Sequence, residues 1–343
     1  MNSRNRSRIA SSICAAGLCA LAWLLSFGAA QAQNKVYEMK ISTPTINAGP
    51  DRYARNFAAA LEKDSGGRIK PTVYPASQLG SIARQIEGTQ FGAIQCEVTP
   101  PEFMVGLDER FGVMAAPGLV SSMDQGQRVA ADPAVRKLML SLGANKGLRG
   151  VGLFMAEPSE IIAKTPIRHL ADFKGKKIRI FASDFQSVAL DRLGATPVAM
   201  SLGDVLPALQ QGAIDGAVAG LQVFTGMHFF DAAKYITLTH QPAIFVIAEV
   251  NKKWYDALPA DLQKIVDRDG AEQSLAMAPQ AIDLVNKARQ GWIEHGGELI
   301  ELPADEQSQL LKTLAGVGHD VASKNPTVAA AYQIVTDAAQ RAK

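Results

Sequence analysis

Cysteine is scarce in this chain: three cysteines among 343 residues are too few for a disulfide scaffold. Neither sign of charge is in large excess, since 35 Lys and Arg residues stand against 33 Asp and Glu residues. The sequence therefore lacks the basic surplus that is typical of nucleic-acid-binding proteins. Hydrophobic residues at 47% and charged residues at 20% exclude a collagen-like, coiled-coil or largely disordered chain.

Recognisable catalytic motifs are also missing. The sequence contains no G-x-S-x-G, H-E-x-x-H, C-x-x-C or P-loop pattern, and its five histidines lack the spacing of metal ligands. Glu157 and Glu160 form a carboxylate pair of the kind that acid–base chemistry uses. We expect no enzyme activity, no metal and no cofactor, and an exported enzyme that uses one of these glutamates is the alternative.

Only one apolar run is long enough to enter a membrane, and it extends from Ile13 to Phe27 near the N-terminus. A cluster of arginines precedes it and the small residues of Ala30-Gln31-Ala32 follow, which is the layout of a secretory signal peptide. Because the run is short for a span of ~20 residues, an uncleaved anchor is only the alternative. We predict a signal peptide over residues 1–32, cleaved after Ala32, and an exported chain that keeps Cys96 alone.

Short β-type runs alternate with helical stretches along the rest of the chain. Val36–Ser42 has strand character, and Asp51–Lys63 follows it with apolar residues at helical spacing. This alternation predicts an α/β fold with mostly parallel sheets. The other predicted strands are Arg68–Tyr74, Ala93–Val98, Gly150–Ala156, Lys177–Phe181, Val198–Met200, Ala213–Ala219, Tyr235–Thr239 and Ile244–Val250.

Two segments of the sequence share one layout. Leu79-Gly80-Ser81 opens a predicted helix that stops at Gly92 before a strand, and Leu202-Gly203-Asp204 opens one that stops at Gly212 before a strand. The similarity is either a coincidence of common helix signals or the mark of two lobes of similar build.

A third helical stretch is long enough to connect two lobes. It extends from Ala260 to about His295 and would span on the order of 54 Å at 1.5 Å per residue. Gly270 and Pro279 interrupt the pattern, so two separate helices are the alternative to one long kinked helix.

A charged residue lies within the predicted strand Lys177–Phe181. Because side chains alternate along a strand, Arg179 and Phe181 face one side, and the isoleucines next to Arg179 face the other. Ligands of open α/β sheets bind beyond the carboxyl ends of the strands, where an arginine can hold a carboxylate through two parallel hydrogen bonds. The residues alone leave two interpretations open, a carboxylate clamp or a solvated basic run from Lys174 to Arg179.

A series of motifs extends over nearly all of residues 35–300. In chain order they are Ser65-Gly66-Gly67-Arg68-Ile69, Val73-Tyr74-Pro75-Ala76-Ser77-Gln78-Leu79-Gly80, Asp172-Phe173-Lys174-Gly175-Lys176-Lys177-Ile178-Arg179, Leu193-Gly194-Ala195-Thr196-Pro197-Val198-Ala199-Met200, Ala208-Leu209-Gln210-Gln211-Gly212-Ala213-Ile214-Asp215-Gly216 and Leu258-Pro259-Ala260-Asp261-Leu262-Gln263. In order and spacing the series resembles the DctP-type solute-binding proteins of tripartite ATP-independent periplasmic (TRAP) transporters.

The resemblance implies a two-lobed, periplasmic-binding-protein-like α/β fold. It implies a mixed, mostly parallel sheet in each lobe and a long helix that spans both. We expect lobe I to hold residues 33–156 and about 245–284, and lobe II to hold residues 157–244 and about 285–343. Hinge closure of the two lobes would enclose a bound organic anion.

The resemblance also implies which residues bind the ligand. Family members hold the substrate carboxylate with the arginine of the K-I-R strand, which is Arg179 here. The other candidate ligand-binding residues are Ser81, Thr99, Thr43, Ser159, Phe181, Ala219 and Gly220.

Three of these positions depart from the family pattern. Ser159 stands where many members have a second arginine, Ala219-Gly220 where an asparagine often follows the D-G pair, and Ile180-Phe181 where Val-Pro often follows K-I-R. These replacements favour a roomier or more apolar site, and hence a monocarboxylate with an apolar or aromatic body.

The resemblance implies a periplasmic receptor that binds a small organic acid between its lobes and delivers it to the membrane permease subunits of a transporter. We expect a monomer and no nucleic-acid partner. A periplasmic ligand-sensing module, which presents its bound form to a signalling receptor, is the alternative.

Overall fold

The computed structural model describes residues 35–241 and 243–343, so the predicted signal peptide and its cleavage site lie outside the described residues. Within those residues, none of the helices combines the length and apolar composition needed to cross a bilayer. Cys96 is a buried free thiol.

The strands form a five-stranded and a six-stranded sheet, in the orders β2-β1-β3-β10-β4 and β11-β9-β5-β8-β6-β7. Their bounds are β1 Tyr37–Ser42, β2 Ile69–Tyr74, β3 Cys96–Thr99, β4 Leu148–Pro158, β5 Glu160–Ala163, β6 Lys177–Ile180, β7 Thr196–Ala199, β8 Gly216–Ala219, β9 Tyr235–Leu238, β10 Ala243–Asn251 and β11 Glu298–Glu301.

The helices cover the faces of these sheets. Their bounds are α1 Gly49–Asp64, α2 Ile82–Phe91, α3 Met123–Ala131, α4 Pro133–Met139, α5 Asp184–Arg192, α6 Leu202–Gln211, α7 Leu221–Gly226, α8 Lys252–Asp256, α9 Ala260–Glu294, α10 Ala304–Leu314, α11 Val317–Ala322 and α12 Pro326–Arg341. Short 3₁₀ helices cover Pro101–Met104, Glu109–Ala115, Ala144–Lys146, Leu170–Phe173 and Phe229–Asp231.

Both sheets are mixed and mostly parallel. In the first sheet only β10 is antiparallel to its neighbours, β3 and β4. In the second sheet only β5 is antiparallel to its neighbours, β8 and β9. The predicted α/β class and the mostly parallel sheets are therefore confirmed, and each sheet forms the centre of one lobe.

The chain passes between the two lobes at several points. It leaves the first sheet at Pro158 and enters the second at Glu160, so Ser159 alone separates β4 from β5. It returns between β9 and β10, and α9 then connects the first sheet to β11 of the second. The C-terminal α12 packs against Glu109–Ala115, α3 and α4. A helix that the predicted boundaries assign to lobe II thus contacts segments assigned to lobe I, and the exact boundaries stay a prediction.

The long helix is continuous through both of its predicted interruptions. Gly270 lies where α9 crosses β4, and a Cβ atom there would lie 2.6 Å from the carbonyl oxygen of Val151, so only glycine permits this approach. Tyr53 donates a hydrogen bond to the Gly270 carbonyl at 3.1 Å. Pro279 lies on the exposed side of the helix. Because α9 packs on α1 and β4 as well as on α7 and β11, it contacts both lobes, as predicted.

The two similar sequence segments occupy equivalent places in the two sheets. Helix α2 leads to β3 and helix α6 leads to β8, and each ends at a left-handed glycine, Gly92 with φ 86° and Gly212 with φ 74°. This arrangement favours the interpretation of two lobes of similar build. The second helix begins at Leu202, and its N-cap residue is Ser201, three positions before the predicted cap Asp204, which lies in the first turn.

Candidate ligand-binding cleft

A cavity lies between the two sheets, where the carboxyl ends of β1, β3, β4, β6 and β8 converge. It encloses about 30 Å³ in this conformation, which is space for roughly two water molecules. The lobe built on the first sheet contributes Pro44, Thr45, Pro50, Ile82, Pro100, Phe103, Ala156, Glu157 and Ile244. The other lobe contributes Arg179, Phe181, Leu202, Ala219, Gly220 and Val223. A larger ligand therefore requires the lobes to separate.

Arg179 is the cation of this cavity, and its side chain is fully buried. Its Nε donates to the carbonyl oxygen of Met200 and its Nη1 donates to that of Val218, both at 2.9 Å. Its Nη2 has no hydrogen-bond partner in the described part of the chain. Two backbone carbonyls thus fix the guanidinium and leave one of its nitrogens available to a ligand.

Two aromatic rings complete the surroundings of this guanidinium. Its central carbon lies 4.8 Å from the ring centre of Phe181 and 5.8 Å from that of Phe103. The two rings stack on each other at 5.1 Å. Aromatic faces attract cations but do not neutralise them, and no charged group of the described residues shifts the pKa of Arg179. Burial lowers the pKa of Arg179 to about 9.

The cavity contains several of the predicted ligand-binding residues. Phe181, Ala219 and Gly220 line it together with Arg179, and all are buried. Phe181 lies on the same side of the strand as Arg179, while Ile178 and Ile180 pack in a separate core on the other side, as the predicted alternation requires. These apolar neighbours agree with the predicted apolar character of the pocket.

Other predicted residues are buried but do not line the cavity in this conformation. Thr99 at the end of β3 and Ser159 between the sheets are fully buried, and their hydroxyl oxygens have no hydrogen-bond partner among the described residues. Thr43 is buried and its hydroxyl lies 3.4 Å from that of Thr45, which does line the cavity. Ser81 is exposed at the N-cap position of α2, so the structure does not bring it to the cavity.

Glu157 is the acidic residue of the cavity wall. It lies near the end of β4 and is 2% exposed, and its Oε2 accepts a hydrogen bond from the backbone N–H of Gln222 at 2.8 Å. Burial raises the pKa of Glu157 to about 8, and the charge of Glu160 adds to the increase, against the lowering effect of hydrogen bonds from the backbone N–H groups of Gln222 and Val223. Glu160 itself is buried beside Thr239 and His240 and does not line the cavity.

Gln222 links the two lobes at the base of the cleft. Its Oε1 accepts a hydrogen bond from the backbone N–H of Gly49 at 2.8 Å, and its Nε2 donates to the carbonyls of Ala156 at 3.1 Å and Ala281 at 3.3 Å. The side chain is 1% exposed. It therefore joins α7 to the start of α1, to β4 and to the long helix.

Sequence reasoning did not identify several of the residues around the cavity. Phe103, Leu202 and Val223 are apolar residues in a 3₁₀ helix and two α-helices, and nothing in their spacing distinguishes them from ordinary core residues. Gln222 follows the strand that carries Ala219, but a single glutamine gives no signal of its three interactions.

The chain has clear relatives. The profile of the family described as "Bacterial extracellular solute-binding protein, family 7" (DctP) matches residues 50–325. The protein named YiiZ from Salmonella typhimurium is 30% identical over 223 residues, which cover 64% of this chain and 68% of that protein. The C4-dicarboxylate-binding periplasmic protein DctP of Rhodobacter capsulatus is 28% identical over 276 residues, which cover 79% and 82% of the two chains.

Solved structures share the fold. The sugar acid binding protein of Advenella mimigardefordensis, in complex with galactonate, superposes with a TM-score of 0.84 at 21% identity and covers 90% of this chain and 99% of its own. A TRAP periplasmic solute-binding protein of Desulfovibrio salexigens, with bound orotic acid, superposes with a TM-score of 0.82 at 20% identity and covers 90% and 100%. These likenesses confirm the two-lobed fold. Since the family profile covers most of the chain, this protein belongs to the DctP family of bacterial extracellular solute-binding proteins.

Proposed function

We propose that this protein is the periplasmic receptor of a TRAP transporter, that it binds a small organic acid between its lobes, and that Arg179 holds the ligand's carboxylate. One observation carries the proposal: a fully buried guanidinium faces a cavity with one unpartnered nitrogen and, among the described residues, no acidic partner. A buried charge without a partner costs several kcal/mol, and a bound carboxylate would compensate it.

The ligand would approach Arg179 at its Nη2. Because two backbone carbonyls already orient the guanidinium, the carboxylate gains a charge-assisted hydrogen bond without having to order the side chain first. Opening of the lobes would admit the acid, and closure would bury it against Phe181 and Phe103. The unpartnered hydroxyls of Thr99 and Ser159 are additional donors that a rearrangement on closure can bring to the ligand.

The names of the relatives support an organic acid as the ligand class. One relative is a C4-dicarboxylate-binding protein, and the solved structures contain galactonate or orotic acid. The mostly apolar lining of the cavity favours a monocarboxylate with an apolar or aromatic body. In this role the protein would work in the periplasm and deliver its ligand to membrane permease subunits without chemical turnover. We propose that it acts as a monomer.

A thermal-shift screen tests this proposal. Aliphatic and aromatic carboxylates are added to the purified protein, to Arg179→Lys and to Arg84→Met, which removes an exposed charge on α2 and serves as the control. We expect an acid to stabilise the wild type and the control, and to stabilise Arg179→Lys less, because lysine cannot form the planar fork of hydrogen bonds. Stabilisation by sugars or cationic amines, with no effect of any acid, would contradict the assignment of Arg179.

A further inference from the structure

The wall of the cleft holds a second ionisable group that the carboxylate clamp does not use. Glu157 lies on β4 of the first sheet and Arg179 on β6 of the second, and both line the same cavity. A ligand held by Arg179 therefore lies in a space that a carboxyl group also borders.

The backbone fixes the position of this carboxyl group. Its Oε2 accepts from the N–H of Gln222 near the start of α7, and the carboxyl fills the space beside Gly220, where a Cβ atom would lie only 1.8 Å from the Glu157 Cδ. Gln222 is itself held by Gly49, Ala156 and Ala281. The backbone N–H of Val223 also acts on the carboxyl group. Since Oε2 accepts from Gln222, we assign the proton of the neutral acid to Oε1.

The neighbouring ionisable groups do not stabilise a negative charge on Glu157. Glu160 at the start of β5 acts against it. Asp51 in the first turn of α1 is buried and already paired with Arg55 at 2.9 Å. Arg179 on β6 is not among the groups that shift the pKa of Glu157, and burial alone shifts the pKa of Arg179, so the cation does not stabilise the ionised form of Glu157 either.

We propose that Glu157 determines the specificity of this receptor: as a neutral carboxylic acid it donates a hydrogen bond to an uncharged oxygen of the ligand, and it rejects acids with a second negative charge. This inference rests on the proposed binding of a carboxylate at Arg179. The ligand class is then a monocarboxylate with a carbonyl or hydroxyl oxygen on the side away from its carboxylate.

The charge balance of the cleft explains the discrimination. A monocarboxylate on Arg179, opposite a protonated Glu157, leaves the closed site neutral. A second carboxylate would bring one more negative charge into a buried site without a second cation, and such uncompensated charge is strongly unfavourable. Ionisation of Glu157 has the same effect as a second charge on the ligand, so affinity for a monocarboxylate is expected to decrease as Glu157 loses its proton.

Matched ligands of equal shape test the proposal by isothermal titration calorimetry. One set is pentanoate, 4-oxopentanoate and succinate, and the other is 4-ethylbenzoate, 4-acetylbenzoate and terephthalate. In each set the second compound is the oxo acid and the third is the diacid. In the wild type we expect the oxo acid of at least one set to bind at least about tenfold more tightly than the corresponding diacid. In Glu157→Gln, which keeps the shape and a donor but cannot ionise, we expect the oxo acid to bind within about threefold of wild type, without the pH dependence described next.

The second arm varies pH. If only the protonated form of Glu157 binds the ligand, a pKa of about 8 predicts that ionisation of Glu157 alone increases the dissociation constant of the wild type about tenfold between pH 7 and pH 9. Glu157→Gln removes this change and leaves only the part due to Arg179. Glu102→Gln is the matched control, because Glu102 is a buried acid whose pKa is also raised to about 8 but which neither lines the cavity nor acts on Glu157. This variant keeps the wild-type discrimination.

The outcomes separate this inference from the receptor function. The role of Glu157 would be overturned if succinate or terephthalate bound more tightly than the corresponding oxo acid, or if neither oxo acid bound. It would also be overturned if the pH profile of Glu157→Gln were the same as that of the wild type. If acids still bind and Arg179→Lys weakens them, the carboxylate receptor stands while the role of Glu157 fails. Preferential binding of the zwitterion 4-aminobutanoate would also overturn it, because an ammonium group requires the ionised carboxylate.

Discussion

Replacement of Arg179 by methionine separates a ligand-binding arginine from a structural one. The pKa of the buried guanidinium is about 9, well below the ordinary arginine value, and at 1.36 kcal/mol per pKa unit burial disfavours the charged form by about 5 kcal/mol. Its two hydrogen bonds to backbone carbonyls recover about 1.5–3 kcal/mol each. The two contributions nearly cancel, so Arg179 contributes little to the stability of the free protein.

We therefore expect Arg179→Met to change the free energy of unfolding by less than about 2 kcal/mol in urea titrations at pH 7. Methionine retains most of the buried volume, which limits the cavity left behind. The variant should lose the response to ligand, whereas the wild type gains about 2.7 kcal/mol when an acid is present at 100 times its dissociation constant. A loss above about 3 kcal/mol in the free protein would refute the reasoning, because a loss of that size is typical of a buried charge that is paired within the protein.

Three further perturbations have defined outcomes. Glu249 is fully buried on β10, and both of its carboxyl oxygens lack a hydrogen-bond partner among the described residues. Burial raises the pKa of Glu249, so this residue destabilises the protein increasingly as pH rises above the usual glutamate pKa. Glu249→Met should therefore increase the free energy of unfolding by up to about 3 kcal/mol at pH 7, and by little at pH 5, in urea titrations. Gly220→Ala places a Cβ atom against Glu157 and should weaken ligand binding in calorimetry, while Gly203→Ala, which has open space, should not. Gln222→Ala removes three buried hydrogen bonds and should lower the free energy of unfolding by about 2–4 kcal/mol, and an unchanged unfolding midpoint would contradict its role in linking the lobes.

Much of the fold could be predicted because its helices and strands follow local rules. The strands predicted around Ile41, Val73 and Ile247 form close to their expected bounds. The signals that predict them, alternating polar and apolar side chains and glycines that end helices, depend only on residues close in sequence. Strands β5 and β11 were not predicted. Glu160–Ala163 and Glu298–Glu301 are short, and glutamates at their ends hide the apolar pattern.

The candidate site was less predictable because its residues come together only through tertiary structure. Arg179 could be selected from the family resemblance, but its two carbonyl partners belong to β8 and to the residue after β7. Gly270 was interpreted as an interruption of the helix, although it permits the close packing of α9 on β4. Such backbone approaches depend on distant segments and leave no periodic signal in the sequence.

The position of β10 has a consequence for how the protein folds. This strand lies between β3 and β4 in the first sheet, yet it follows the strands β5–β9 of the second sheet in the sequence. A fragment that stops after β4 would lack the strand that joins β4 to the other three, so the first lobe cannot complete its sheet before residue 251 is available. Contacts of such high sequence separation slow folding, and the two lobes are expected to acquire their native structure together rather than one after the other.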